Sequence, residues 1–289
     1  TTNKAGPSLV PGRGLGTTLD YAVASHRRAV VLLLLFSLLA FLPGFFQIPP
    51  VDRDEARFAQ ATKQMLETGE YVDIRFQNEV RYKKPVGIYW LQAAAVKTGE
   101  ALGVPRPRAT IWLYRLPSLF GAIGAVLLTY WAALAFVSRR GALIAALMMA
   151  SSVLLGVEAR LAKTDAMLLL TSVAAMGAMA RIYLACRRAP ETPVGWTQPA
   201  ILWTALAAGT LLKGPLVLMF VVLAAVTLSV ADRSARWLWS LRPVAGFVWM
   251  VLLVLPWFVA IVAKSGGDFF VQAVGHDMLG KVTSGQEAH

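Results

Sequence analysis

Cysteine is nearly absent from this sequence: Cys186 is the only one in 289 residues. That excludes a disulfide within the chain and any cysteine-built metal cluster. Charge is scarce too. Charged residues make up 15% of the chain, against about 25% in an ordinary soluble domain, too few for a fully solvated surface. The scarcer sign is negative, with 16 Asp and Glu against 28 Lys and Arg and a formal charge of +12. In a soluble protein that surplus would suggest nucleic acid. Here much of it flanks apolar runs, as in the cytoplasmic loops of membrane proteins, and no nucleic-acid partner is expected. Internal repeats and low-complexity tracts are absent as well.

What is abundant is apolar: hydrophobic residues are 57% of the chain. They gather in runs. A helix that crosses a bilayer needs roughly 20 mostly apolar residues. Residues 29–48, 116–138, 141–157, 214–231 and 243–263 carry no charge. Residues 166–186 are interrupted only by Arg181, which can snorkel to the interface, and residues 194–212 form a weaker run. The pattern predicts an all-α, polytopic membrane protein with about seven transmembrane helices. The first run is too long for a signal-peptide core and has no small-residue cleavage site behind it, so it reads as an uncleaved anchor.

Basic residues mark alternate connections: Arg27 and Arg28, Arg139 and Arg140, Arg187 and Arg188, then Arg233, Arg236 and Arg242. If every run crosses, these fall on one side, and the positive-inside rule makes that side the cytoplasm. The chain then divides into a cytoplasmic segment 1–28, a membrane domain 29–263 and the start of an outer loop, 264–289. The first 16 residues, rich in Gly and Pro, are expected to be disordered. The long outer connection, residues 49–115, is expected to be structured. Asp52 and Glu55 have capping-box spacing, Phe58, Met65 and Leu66 recur at helical spacing, and Gly69 suits a helix end. Val72, Ile74 and Phe76 alternate as in an extended segment. Pro85 opens a second helix, running to about Leu102 and carrying Tyr89 and Trp90. The expectation is two interfacial helices joined by an extended stretch.

Charges gather at the predicted outer level. Asp52-Arg53-Asp54-Glu55-Ala56-Arg57 follows the first run, and Arg81-Tyr82-Lys83-Lys84-Pro85 lies on the same loop. Arg160, Lys163 and Asp165, then Lys213, then His276 and Asp277 reach the same side. Singly, these acids serve equally well as helix caps or dipole complements, Lys213 as a snorkelling span end, and a lone His is rarely a metal ligand. Together, charges beside a bilayer core are costly unless they pair or face a cavity. A mixed cluster suits an anionic substrate carried by a lipid.

Asp54-Glu55-Ala56-Arg57, followed by Arg81-Tyr82-Lys83-Lys84-Pro85-Val86-Gly87-Ile88-Tyr89-Trp90, resembles the polytopic GT-C glycosyltransferases. Within them the likeness is greatest to the aminoarabinose transferases that modify lipid A, and extends to protein O-mannosyltransferases. Lys163-Thr164-Asp165 resembles a second acidic position of that family, and Gly275-His276-Asp277 the loop after its seventh span. The resemblance covers the chain from about residue 20 onward. Family members continue through further spans and a soluble outer domain, so the chain is expected to be an N-terminal half.

The resemblance implies transfer of a sugar, 4-amino-4-deoxy-L-arabinose, from undecaprenyl phosphate to lipid A at the periplasmic face of a bacterial inner membrane. A protein or polymer glycosyltransferase of the same fold is the alternative. A lipid-linked sugar flippase is less favoured, since it would place polar groups at mid-bilayer. The implied catalytic residues are Asp54, Asp165 and Glu55. Lys84 and Arg57 would hold the donor phosphate, with Lys83, Tyr82 and Arg81 beside them. A divalent metal ion, held with the help of Asp54, is left open.

Overall fold

The computed structural model describes residues 20–82, 84–189, 192–266 and 269. The Gly- and Pro-rich start, Lys83, and the stretch with His276 and Asp277 lie outside the described residues.

Helix α1, His26–Phe41, starts at Ser25, whose hydroxyl accepts the Arg28 N–H. It stops before the run of apolar residues does, because Pro43 and Gly44 follow, with Gly44 at φ 79° turning the chain. Helix α2, Arg53–Thr68, begins at Asp52, which accepts the N–H groups of Asp54 at 2.6 Å and Glu55 at 3.3 Å. It ends at Gly69 in the left-handed region, φ 72°. The expected extended stretch is a small hairpin: β1, Arg75–Phe76, pairs antiparallel with β2, Glu79–Val80. Helix α3, Gly87–Ala101, follows. Its start sits two residues beyond Pro85, where the chain is still turning.

Then come α4, Ile111–Ala133, α5, Arg139–Ala150, and α6, Val153–Glu158. The run 141–157 is therefore two helices, not one. Ser152 is extended at the break, and the Ser151 hydroxyl donates back to the Leu147 carbonyl at 2.8 Å. Helices α7, Asp165–Arg188, α8, Thr197–Lys213, α9, Leu216–Ala231, and α10, Pro243–Ser265, complete the described fold. Among the described residues α4, α7 and α10 are long and apolar enough to cross a membrane, and α9 is apolar but shorter.

Two close approaches fix the bundle. On α4, a Cβ at Gly121 would lie 2.8 Å from the Met167 nitrogen, so α4 and the first turn of α7 touch backbone to backbone. On α3, a Cβ at Gly87 would lie 2.7 Å from the Leu211 carbonyl oxygen, so the short helix sits directly on the last turn of α8. The hairpin and the two short helices share a core with the bundle, built on Phe58, Ile74, Tyr89, Val96, Leu113 and Trp257.

The basic residues of alternate connections meet at one end of the bundle. Arg139 donates to the Val23 carbonyl at 2.7 Å, Arg188 to the Ala135 carbonyl at 3.1 Å, and Arg187 pairs with Asp232 at 2.9 Å. At mid-chain Arg181 bends back to the Trp131 carbonyl and lies over that ring, 4.5 Å from its centre. The remaining connections meet at the opposite end.

Candidate active site

At that opposite end lies a buried polar network. Arg115, on the first turns of α4, is fully buried, and so is Glu55 on α2. Arg115 donates to both Glu55 oxygens, at 2.7 and 3.1 Å, and to the carbonyls of Phe45, Ile48 and Pro49. A guanidinium has five N–H donors, and here each has an acceptor. The Glu55 carboxylate also accepts the Ala162 N–H at 3.1 Å. The capping box expected from Asp52 and Glu55 is thus only half made: Asp52 caps the helix, while Glu55 turns inward to neutralise Arg115.

The same network grips the turn between α6 and α7. Gln92 on α3 donates to the Ala162 carbonyl at 3.2 Å and accepts the Thr62 hydroxyl from α2 at 2.6 Å. Ser118 on α4 donates to the Lys163 carbonyl at 3.1 Å. Glu55, Thr62, Gln92, Arg115 and Ser118 are all buried. Unpaired polar groups there would be costly, so their mutual pairing fixes the turn in one place. Arg160 anchors its other side, donating to the Pro43 carbonyl at 2.8 Å and the Ala40 carbonyl at 2.5 Å at the end of α1.

Partly buried charges stand on this rigid base. Lys163 lies 3.3 Å from Asp52 and 3.6 Å from Glu158. Asp165, at the head of α7, pairs with Lys213, in the last turn of α8, at 2.5 Å. Asp54 faces outward beside Arg57, 3.6 Å away, with 46% of its side chain exposed. Arg81 stacks over the Phe58 ring and donates to the Tyr89 hydroxyl at 3.2 Å. Lys84 is half-buried beside Pro85, and Gly87 ties that segment to the end of α8. Tyr82 points away: it is buried, and its hydroxyl donates to Asp73 at 2.8 Å.

The environment sets the charge states. Burial would raise the Asp52 carboxyl, but the Asp54 amide and Lys163 outweigh it and hold it below its usual value. Burial likewise works against the charge on Lys163, and Glu158 and Asp52 more than restore it, so it stays above the ordinary lysine value. Glu158 differs: burial pushes it up, and Lys163 only partly compensates.

Among the described residues no three His, Cys, Asp or Glu side chains gather closely enough to hold a metal ion. Asp52, Asp54, Asp165 and Glu158 each face a lysine or arginine instead. This donor set does not fit a divalent ion without breaking those pairs, and no step is assigned to one.

Of the residues singled out in the sequence, Asp54 meets Arg57, Arg81 meets Phe58 and Tyr89, and Asp165 meets Lys213 at the head of α7. Glu55 is sealed beneath them. Sequence reasoning missed Arg115, Gln92 and Glu158. Arg115 immediately precedes an uncharged run and reads as its boundary. One signal was available, since an arginine two residues before Pro117, inside a helix of apolar residues, needs a partner at bilayer depth.

The chain has relatives of known kind. The undecaprenyl phosphate-alpha-4-amino-4-deoxy-L-arabinose arabinosyl transferase of Pectobacterium carotovorum is 30% identical over 241 residues, covering 82% of this chain and 40% of that protein. The protein of the same name from Erwinia tasmaniensis is 30% identical over 245 residues, 82% of this chain and 41% of its own length. The chain thus spans about two-fifths of the length of the curated relatives it matches. Its fold is similar to the crystal structure of ArnT from Cupriavidus metallidurans bound to undecaprenyl phosphate, with a TM-score of 0.73 at 20% identity, over 87% of this chain and 45% of that one. The apo structure of the same protein gives 0.72 at 18% identity, over 90% and 44%. The GT-C fold expected from the sequence is therefore the fold observed. The family model of the dolichyl-phosphate-mannose-protein mannosyltransferases matches residues 31–266, a stretch that contains the buried network and the charges around it, and the chain belongs to that family.

Proposed function

We propose that this chain forms the membrane-embedded donor site of a glycosyltransferase that moves 4-amino-4-deoxy-L-arabinose from undecaprenyl phosphate to lipid A. Seven crossings of a bacterial inner membrane would put the cluster on the periplasmic side. The names of the relatives support the donor and sugar, and the charge asymmetry of the two bundle ends supports the orientation.

The carrying observation is the set of partly buried cations and carboxylates held on a buried base of paired side chains. In the reaction the bond between the anomeric carbon and the donor phosphate oxygen breaks. Its electron pair goes to that oxygen, leaving undecaprenyl phosphate, and a new bond forms from the anomeric carbon to an acceptor oxygen. Lys84 and Arg57 stabilise the charge that collects on the departing phosphate. Arg81 holds Tyr89 and Phe58 as the floor of the site. A lipid A phosphate is already anionic, so no proton need move, and Asp54 orients the sugar or pairs with its ammonium. With a hydroxyl acceptor, Asp54 would take the proton as general base. Asp165 and Lys213 act as a pair that positions the turn. Glu55 is a positioning residue acting through Arg115.

The family's own description favours a second reading, a protein acceptor. The full-length protein in proteoliposomes, supplied with the undecaprenyl-phosphate aminoarabinose donor, separates the two. Transfer to lipid A and none to a Ser/Thr peptide is expected; transfer to the peptide alone would replace the first reading with the second.

A further inference from the structure

With its mouth at the basic end, an apolar groove of about 630 Å³ opens between α8, α9 and the turn leading into α10. One wall is a single row on α9: Leu218, Val222, Val226 and Val230, four residues apart, with Leu206 of α8 opposite. At about 1.5 Å per residue, the row from 218 to 230 runs about 18 Å. That is close to one leaflet, half of the roughly 30 Å hydrocarbon thickness. The groove ends at Arg233, which lines its mouth.

Three arginines, Arg233, Arg236 and Arg242, are exposed around that turn. The carboxylate beside them, Asp232, is engaged by Arg187 at 2.9 Å and by the Tyr183 hydroxyl at 2.7 Å, and among the described residues no other carboxylate pairs with Arg233. Arg233 and Arg242 also stand at positive φ, 51° and 54°, an uncommon backbone state for residues other than glycine. Trp196 and Trp239 are exposed, and Arg242 lies over the Trp196 ring, 4.9 Å from its centre. Tryptophans at this level mark a membrane–water interface.

We propose that this groove binds one anionic phospholipid of the adjoining leaflet, its phosphate on Arg233 and one acyl chain along the α9 row. A cation at the rim, an apolar channel one leaflet deep and interfacial tryptophans are what such a lipid requires, and basic pockets between helices at cytoplasmic ends recognise anionic headgroups. A zwitterionic lipid would leave Arg233 without a net negative partner. The proposal rests on the basic end facing the inner leaflet, not on the sugar or acceptor.

The test is native mass spectrometry of the full-length protein in mild detergent, with phosphatidylglycerol and phosphatidylethanolamine added in equal amounts. One phosphatidylglycerol should be retained preferentially, by on the order of tenfold, the ratio that corresponds to a single charge-assisted contact. Arg233→Gln should abolish the preference, and Arg233→Lys should keep it. Val226→Trp, which fills the channel, should reduce retention of both lipids. Donor binding should be unchanged in all three variants, which separates this readout from the sugar-transfer reading. Equal retention of the two lipids by the parent protein would overturn the proposal. So would a preference that survives both Arg233→Gln and Val226→Trp, as expected if a protein segment rather than a lipid fills the groove.

Discussion

Arg115 and Asp54 show how differently two charged residues of one site can behave. Removing Arg115 leaves Glu55 buried without a counter-charge, which costs about 3–5 kcal/mol in comparable buried pairs. Arg115→Met should therefore lower the melting temperature in detergent sharply, and Glu55→Gln, which keeps shape and loses charge, should do so less. Asp54→Asn should leave melting unchanged, because Asp54 faces outward, yet slow single-turnover transfer by on the order of a hundredfold with donor affinity kept. Lys84→Ala should weaken donor binding as well as rate, because in the proposed reaction that cation would meet the phosphate before the bond breaks. Normal rates in both Asp54→Asn and Lys84→Ala would remove the site from this loop. Acid provides another check. Asp52 titrates below its usual 3.8, so the stability it contributes is complete above 3.8 and is lost as pH falls through its lower folded value. Lys163 titrates above 10.5, so its contribution is complete below 10.5 and is lost only as pH rises past its folded value. Glu158 runs the opposite way to Asp52: raised above 4.5 by burial, it favours the fold below 4.5 and less so as pH climbs through its folded value. The Asp52–Lys163 tether should thus persist across neutral pH, and Asp52→Asn should flatten the drop in melting temperature on the acid side.

At the scale of elements, close contact matters more than propensity. Gly87 is the clearest case, since any side chain there meets the Leu211 backbone. Gly87→Val should push α3 off α8, displace Lys84, and lower transfer at least tenfold while insertion is kept; protease sensitivity of the loop would report the displacement, and unchanged kinetics would contradict it. Much at this scale was legible beforehand. Asp52 and Gly69 bounded α2 because caps are local chemistry, and the apolar runs located the long helices. The hairpin strands, two residues each, left too little alternation to show their turn, although Val72, Ile74 and Phe76 gave the extended character. The break between α5 and α6 was hidden because Ser151 and Ser152 are uncharged and sit inside an apolar run. Arg115 and Glu55 were invisible as a pair because 60 residues separate them, and no local pattern links them.

At the scale of the whole molecule, the two ends of the bundle carry different chemistry: backbone-bonded arginines at one, a paired acid–base cluster at the other. Cys186 belongs to the first end, two residues before the end of α7, where its thiol meets Ser240 at 3.3 Å. A membrane-impermeant maleimide should label it in inverted vesicles and leave it untouched in intact spheroplasts; the reverse pattern would turn the orientation over. Two last contacts have a meaning in time. Lys264, in the last turn of α10, pairs with Glu70, and Trp257 donates to the Val72 carbonyl at 3.3 Å, joining positions 194 and 185 residues apart. A ribosome adding about 5–20 residues per second needs on the order of ten to forty seconds to cover that distance. During that interval the loop already has partners in α4 and in the turn between α6 and α7, through Glu55, Arg115 and Ala162, while its contacts with α10 are still to form. The loop's contacts with α10 therefore close last although the loop is made first, and if it carries the proposed donor site, a nascent chain halted short of Trp257 should be inserted, stable in its early helices, and catalytically silent.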